Sequence, residues 1–378
     1  MSQNRIKAVF MRGGTSKAVI FNTQDLPADK SEWDRIFLSV MGSPDPYGRQ
    51  LDGMGGGISS LSKVCIVGPP TLPGADVDYT FAQVSVSQAV VDYAGNCGNM
   101  SAAIGPFAVD ERMVRAGDNG ERGVVIHNTN TGKLIRARFD VRDGIANVEG
   151  NLEIDGVAGS GAPVELEFIS PGGSKTGRLL PTSAMVDRLR ADKNLVVEVT
   201  MVDAANPCVF VSADVLSVTG TESAEQLEAN KDLLANLEAI RCKASVAMGL
   251  AASEEQAHSL ESIPKVAIVF TPRSHRLASG RMLEATDFDL GIRMMSMGRP
   301  HRAVPITGAV CLAVAMRLPG SVPNQLMSAG RELLRVGHPS GVIAVGAKVA
   351  GAGGDWTAES GSVYRTARRL FEGHVLYT

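Results

Sequence analysis

The chain has 378 residues, with 37 lysines and arginines against 40 aspartates and glutamates, a formal charge of -3. Hydrophobic residues make up 44% and charged ones 20%, which rules out wholesale disorder and suits one large domain or two ordinary ones. That charge balance gives no footprint for nucleic acid, and no apolar run reaches the roughly 18 residues needed to cross a bilayer.

From the N-terminus, RIKAVFM (5–11), KAVIF (17–21), KVCIV (63–67), YTFAQVSV (79–86) and AVVDY (89–93) read as strands. Between them SEWDRIFLSVM (31–41) has helical spacing, with Ser31 in the N-cap position. GVVIHNT (123–129), LIRARFDV (134–141) and VELEFI (164–169) continue the strand texture. A polar, Gly-rich stretch at 171–195 separates two halves, expected as domains 1–185 and 186–378, with the last strand crossing back to the first. The second half offers strands near 195–202, 208–212 and 265–270 and a broken helix over 222–250.

Two segments stand apart from this texture and look alike. GNCGNMSAAIGPFAV (95–109) and PITGAVCLAVAMRL (305–318) each pass from turn residues into a helix of small apolar side chains. A helix apolar all round is buried, so each half is expected to wrap a curved sheet around a central helix. Gly105-Pro106 should kink or end the first helix, and Pro319-Gly320 should stop the second.

Both loops lead into helix N-termini, where unpaired N–H groups attract anions. If the two converge, they suit a substrate with several carboxylates; read plainly, they are glycine turns before core helices. Cys97 lies in the first loop among Asn96, Gly98 and Asn99, where a helix start lowers a thiol pKa. Cys65, Cys208, Cys242 and Cys311 read as small buried hydrophobes, and no CxxC pair supports a metal site or disulfides. RQLDGMGGGISSLSK (49–63) reads as a flexible loop ending at Lys63, beside Ser62. A lysine at such a junction is either an ordinary surface group or a desolvated base. MRGGTSKAV (11–19) offers Arg12, Thr15, Ser16 and glycine amides between two strands, which is not a Walker loop. His301 and His338 are further candidates, as ligand contacts or turn histidines.

Taken together, MRGGTSK (11–17), GSPDPYGRQLDG (42–53), SK (62–63), DVDYTFAQVS (76–85), VDYAGNCGN (91–99), IHNTNTGK (126–133), HRAVPITGA (301–309), GHPSG (337–341) and RTARRLFEG (365–373) resemble the PrpF family. Its members isomerise methylaconitate, methylitaconate and oxalomesaconate. The resemblance implies an α+β, diaminopimelate epimerase-like fold of two pseudo-equivalent domains with the site between them. It places the family's catalytic lysine on Lys63 and its site cysteine on Cys97, and implies no cofactor and no metal. LPTSAM (180–185), LSK (61–63) and the insert PYG (46–48) depart from the family pattern and bear on the choice of substrate.

Two-thiol epimerases carry a cysteine at each loop, whereas the matching position in the second loop here is Pro305. The expected reaction is therefore a 1,3-allylic proton shift on an unsaturated di- or tricarboxylate, with Lys63 as base. N–H groups at 97–100, including Met100, and at Thr307, Gly308 and Ala309 would stabilise the dienolate. Arg12, Thr15, Ser16 and Ser62 would hold the remaining carboxylates, with His301 lining the site. Non-catalytic polycarboxylate binding, service to an aconitase-type partner, and amino-acid epimerisation are the competing readings. The sequence start MSQNRIKAVFMRGG shows no leader, so a cytoplasmic homodimer is the expectation.

Overall fold

The computed structural model describes residues 3–93, 96–115, 117–191, 195–260, 263–296, 298–328, 333–352 and 355–378. Gly95, the first residue of the expected loop at 95–109, lies outside them. In chain order the main elements begin with β1 (Asn4–Gly13), β2 (Ser16–Asn22), α1 (Trp33–Met41), β3 (Lys63–Gly68), β4 (Val77–Val84), α2 (Gly98–Asp110), β5 (Gly120–Asn128) and β6 (Lys133–Arg142). They continue with β7 (Asp187–Arg190), β8 (Val196–Ala204), β9 (Asn206–Ser212), α3 (Lys231–Ala247), β10 (Lys265–Phe270), β11 (Leu290–Ser296), α4 (Ile306–Arg317) and β12 (Leu334–His338). Three long strands close the chain: β13 (Gly341–Ala352), β14 (Asp355–Arg365) and β15 (Ala367–Tyr377). Two compact units result, one of Met1–Glu167 with Tyr364–Thr378 and one of Phe168–Val363. Residues 168–185 thus group with the second unit, and the end of the chain returns to the first.

In the first unit the ladder runs β15, β1, β2, β3, β4, β5, β6. β15 is antiparallel to β1, β1 to β2, β3 to β4 and β5 to β6, while β2–β3 and β4–β5 are parallel. Period-two alternation gives this sheet two apolar faces. Ile6, Ala8, Val19, Phe21, Val64, Ile66, Ala82 and Val84 meet the stripe Trp33, Ile36, Phe37, Val40 and Met41 of α1. The alternate residues, among them Met11, Cys65, Tyr79 and Phe81, are also buried, and a Cβ at Gly13 would stand 3.1 Å from the Met100 Cα of α2. Lys63 shares this second face with Cys65. The expected Ser31 cap is corrected: Asp29 accepts from the Ser31 N–H and caps a 3-10 turn before α1, whose own N-cap is Glu32.

The central helix α2 is buried from Met100 through Val109. Pro106 neither kinks nor ends it, and the helix runs on to Asp110. A helix-interior proline costs about 3 kcal/mol; burial of the flanking Ile104, Phe107 and Val109 at about 2 kcal/mol each offsets that locally. Gly105 is required by contact, since a Cβ there would come within 2.7 Å of Phe139 and 2.9 Å of Ala137 on β6.

The second unit repeats the same ladder. β7–β8, β8–β9, β10–β11 and β12–β13 are antiparallel, and β9–β10 and β11–β12 parallel, the order of senses found from β15 to β6. Helix α3 follows the third strand of its ladder, β9, as α1 follows β2, and α4 precedes the sixth, β12, as α2 precedes β5. The expected helix over 222–250 breaks at Asn230, whose side chain accepts from the Leu233 N–H and starts α3. Helix α4 is buried from Gly308 through Met316 and stops at Leu318, before Pro319. The two units are pseudo-equivalent, and β3 (KVCIVG) and β10 (KVAIVF) each open on a lysine at the same place in the ladder.

Candidate active site

Lys63 is 7% exposed. Its cross-strand partner in the β3–β4 register is Gln83, and its Nζ donates to Gln83 Oε1 at 2.6 Å. Gln83 Nε2 in turn donates to the Ser62 carbonyl at 2.8 Å, which fixes the amide's orientation. The ammonium also stands 4.8 Å from the Phe81 ring centroid, a cation–π distance. Sequence reasoning missed Gln83; the signal was its place two residues beyond Phe81 on a strand antiparallel to β3.

The loop before Lys63 is a built network, not the slack segment expected. Gln50, 1% exposed, accepts the Gly57 N–H at 2.9 Å and donates to Ser43 Oγ at 2.8 Å. Ser62 is completely buried, with its hydroxyl 2.5 Å from Gln50 Oε1 and 3.0 Å from the Ile58 carbonyl. Its side chain therefore braces the loop and is not presented to a ligand.

Cys97 is the N-cap of α2, half-buried, and its carbonyl accepts from the Ser101 N–H at 3.0 Å. Asn96 Oδ1 is 3.4 Å from the Ser101 hydroxyl. Cys65, two residues along β3 from Lys63, is fully buried, which raises its thiol pKa; the charge of Cys97 raises it further and that of Lys63 lowers it. The first turn of α2, Gly98, Asn99 and Met100, lies over the β1–β2 turn. A Cβ on Gly13 would sit 2.6 Å from the Asn99 carbonyl oxygen. Asn99 Nδ2 donates to Thr15 Oγ1 at 3.1 Å, and Ser16 is buried beside it. Arg12 Nη1 lies 3.0 Å from the Gly14 carbonyl and 2.9 Å from both the carbonyl and hydroxyl of Thr366, and burial lowers its pKa. Arg365, which the sequence reading noted only within a motif, donates from Nε to Asn99 Oδ1 at 3.2 Å.

In the second unit, His301, Thr307, Gly308 and Ala309 gather at the start of α4. His301 Nδ1 accepts from the Ala303 N–H at 3.0 Å, and burial lowers its pKa. The N-cap of α4 is Pro305, in the place that Cys97 has on α2. Cys311 is fully buried inside the helix, with its thiol 3.4 Å from the Val202 carbonyl. Among the described residues, Glu238, Cys242 and His258 bring donor atoms within 4.8 Å of one another. Both oxygens of Glu238 are bound by Arg241, at 2.6 and 2.7 Å, so a guanidinium already holds the positive charge there. No helix among the described residues is long and apolar enough to cross a membrane.

Comparison with known proteins decides the family. A family model described as PrpF protein matches residues 3–378. The chain belongs to the PrpF family. A 3-methylitaconate isomerase of Eubacterium barkeri is 45% identical over 99% of this chain and 97% of its own length. A 2-methyl-aconitate isomerase of Shewanella oneidensis is 39% identical, again over 99% and 97%. The crystal structure of a methylitaconate-delta-isomerase matches with a TM-score of 0.91 at 44% identity, over 100% of this chain and 96% of that one. A hydroxyproline epimerase structure from Agrobacterium vitis, 12% identical with a TM-score of 0.50 over 98% and 92%, shares the fold alone. This PrpF member is thus an isomerase on an epimerase-like, mixed α/β scaffold of two pseudo-equivalent units.

Proposed function

We propose that this enzyme shifts the double bond of a small unsaturated di- or tricarboxylate of the methylitaconate or methylaconitate type, with Lys63 as the base. The observation that supports it best is the setting of Lys63: nearly buried, and held by Gln83 and by the face of Phe81. In this reading the Lys63 amine takes the proton of an allylic carbon. The C–H electron pair moves into the conjugated system and leaves a dienolate with its charge on a carboxylate. Lys63, or Cys97, returns a proton at the far end of the allyl unit, so the double bond moves by one position and no atom is gained or lost. Rotation of the intermediate before the proton returns gives cis-trans isomerisation instead.

First-turn N–H groups of α2 at Gly98, Asn99 and Met100 lack intrahelical acceptors and suit the developing charge. Thr15 bonds Asn99 of that turn, with Ser16 next to it, and Arg12 holds the β1–β2 turn through the Gly14 carbonyl. Racemisation by two thiols is disfavoured, because the α4 position matching Cys97 is Pro305. The test is turnover of 3-methylitaconate, 2-methylaconitate and 4-oxalomesaconate by Lys63→Met and Cys97→Ala. Loss of the general base is expected to cost about 10²–10⁴-fold and loss of the thiol much less. Near-native turnover by Lys63→Met contradicts the assignment.

A further inference from the structure

Most arginines that the fold withdraws from water are answered by a carboxylate. Arg241 has Glu238 at 2.6 Å and the half-buried Arg369 has Glu111 at 2.9 Å, while Arg293 bonds the Glu222 and Ile292 carbonyls with the Glu222 charge acting on it. Arg365 has no carboxylate among the described residues. Its bonds go to neutral oxygens, from Nε to Asn99 Oδ1 at 3.2 Å and from Nη1 to the Tyr364 carbonyl at 2.9 Å. Burial pulls its pKa down to about 10, the mark of a guanidinium stripped of water without an anion in exchange. Its Nη2 makes no hydrogen bond among the described residues and is not sealed off from solvent.

The place of this cation is built. Gly14 has φ +50, and a Cβ there would stand 2.2 Å from Asn99 Oδ1 and 3.2 Å from Arg365 Cδ. Only glycine lets the arginine stem cross the β1–β2 turn and reach the first turn of α2. Asn99 then holds Arg365 with its oxygen and Thr15 with its nitrogen, so one side chain sets the guanidinium against the loop. Arg12, whose Nη1 is bonded to the Gly14 carbonyl and to Thr366, holds the backbone of the same turn.

We propose that Arg365 anchors one carboxylate of the substrate, and that Asn99 positions it to do so. The inference rests on the reading of this site as one for polycarboxylates. A carboxylate at Nη2 supplies the missing anion through a charge-assisted bond, on the guanidinium whose Nε the Asn99 side chain holds.

The experiment is calorimetric titration of itaconate and its two monomethyl esters into wild type, Arg365→Gln and Arg365→Lys. In wild type, the ester lacking the anchored carboxylate binds more weakly than itaconate. Arg365→Gln should lower itaconate affinity about 10–100-fold, to the level of that ester, while leaving that ester's own affinity unchanged. Arg365→Lys, which keeps the charge but not the fork, should fall between and covers the case in which the glutamine variant fails to fold. Native itaconate affinity in both variants overturns the proposal, as does an equal loss for itaconate and both esters. Wild type binding none of the three overturns the reading of the site itself.

Discussion

Single residues carry the most specific consequences. At Gly14 an added methyl meets Asn99 Oδ1 and strains a positive-φ backbone, so Gly14→Ala must displace the Asn99 side chain from its place between Thr15 and Arg365. Displacing a positioning group by about 1 Å costs about 10²-fold in rate, and kcat/KM of the alanine variant should show a loss of that order while the folded signal persists. His275 controls acid stability instead. Its Nδ1 lies 2.8 Å from the Arg273 carbonyl, which can only accept, so Nε2 is the unprotonated nitrogen, buried without a partner. The ring stands edge-on to Phe270 and Phe288, and burial lowers its pKa below 6.5. The unfolded chain therefore takes up this proton first as pH falls. The stability His275 contributes is complete above its ordinary pKa and is lost as acid approaches the folded one. Urea midpoints of His275→Leu should depend less on pH between about 7.5 and 5 than those of wild type.

At the scale of elements, α1 shows how pattern becomes packing. Phe37 is fully buried, stacked at 5.7 Å on Phe21 of β2 and 6.2 Å from Trp33. Phe37→Ala should cost about 3–5 kcal/mol, read as a lower denaturant midpoint with an unchanged slope. Elements of this kind were legible in the sequence, because Trp33, Ile36, Phe37, Val40 and Met41 fall on one helical face. So were the central helices, whose small residues admit a wrapping sheet. Pro106 misled, because a local rule about helix interiors gave way to tertiary burial. Of the three closing strands only the last was expected, crossing back to the first half, and none was given bounds, for a different reason. β15 exposes Leu370, Phe371 and Leu376, so its apolar residues do not mark an inward face, and β13 is mostly glycine and alanine. Arg365 was hidden by distance along the chain: it meets Asn99 across 266 residues, a relation no spacing rule reveals. Lys63 and Cys97 could be proposed from the sequence because a lysine opening a strand and a cysteine opening a helix are local features, whereas Gln50 and Gln83 make contacts that only folding brings about.

The whole molecule is one ladder written twice, and the chemistry lies in where the copies differ. The fourth strand of each ladder opens on a lysine, Lys63 and Lys265, but of the two central helices only the first has a cysteine, Cys97, at its N-cap position. The second begins at Pro305, and its cysteine is sealed in the helix. The first unit thus has a lysine opening a strand and a cysteine opening its central helix, and the second has the lysine without that cysteine. That asymmetry is the reason to expect a proton moved along an allyl unit and not across a stereocentre. It is tested most directly by proton NMR in D2O of the enzyme with 3-methylitaconate, 2-methylaconitate and 4-oxalomesaconate. The account predicts deuterium at an allylic carbon together with migration or cis-trans isomerisation of the double bond for at least one of them. Exchange at no carbon of any of these acids, by a folded enzyme that binds them, would contradict it.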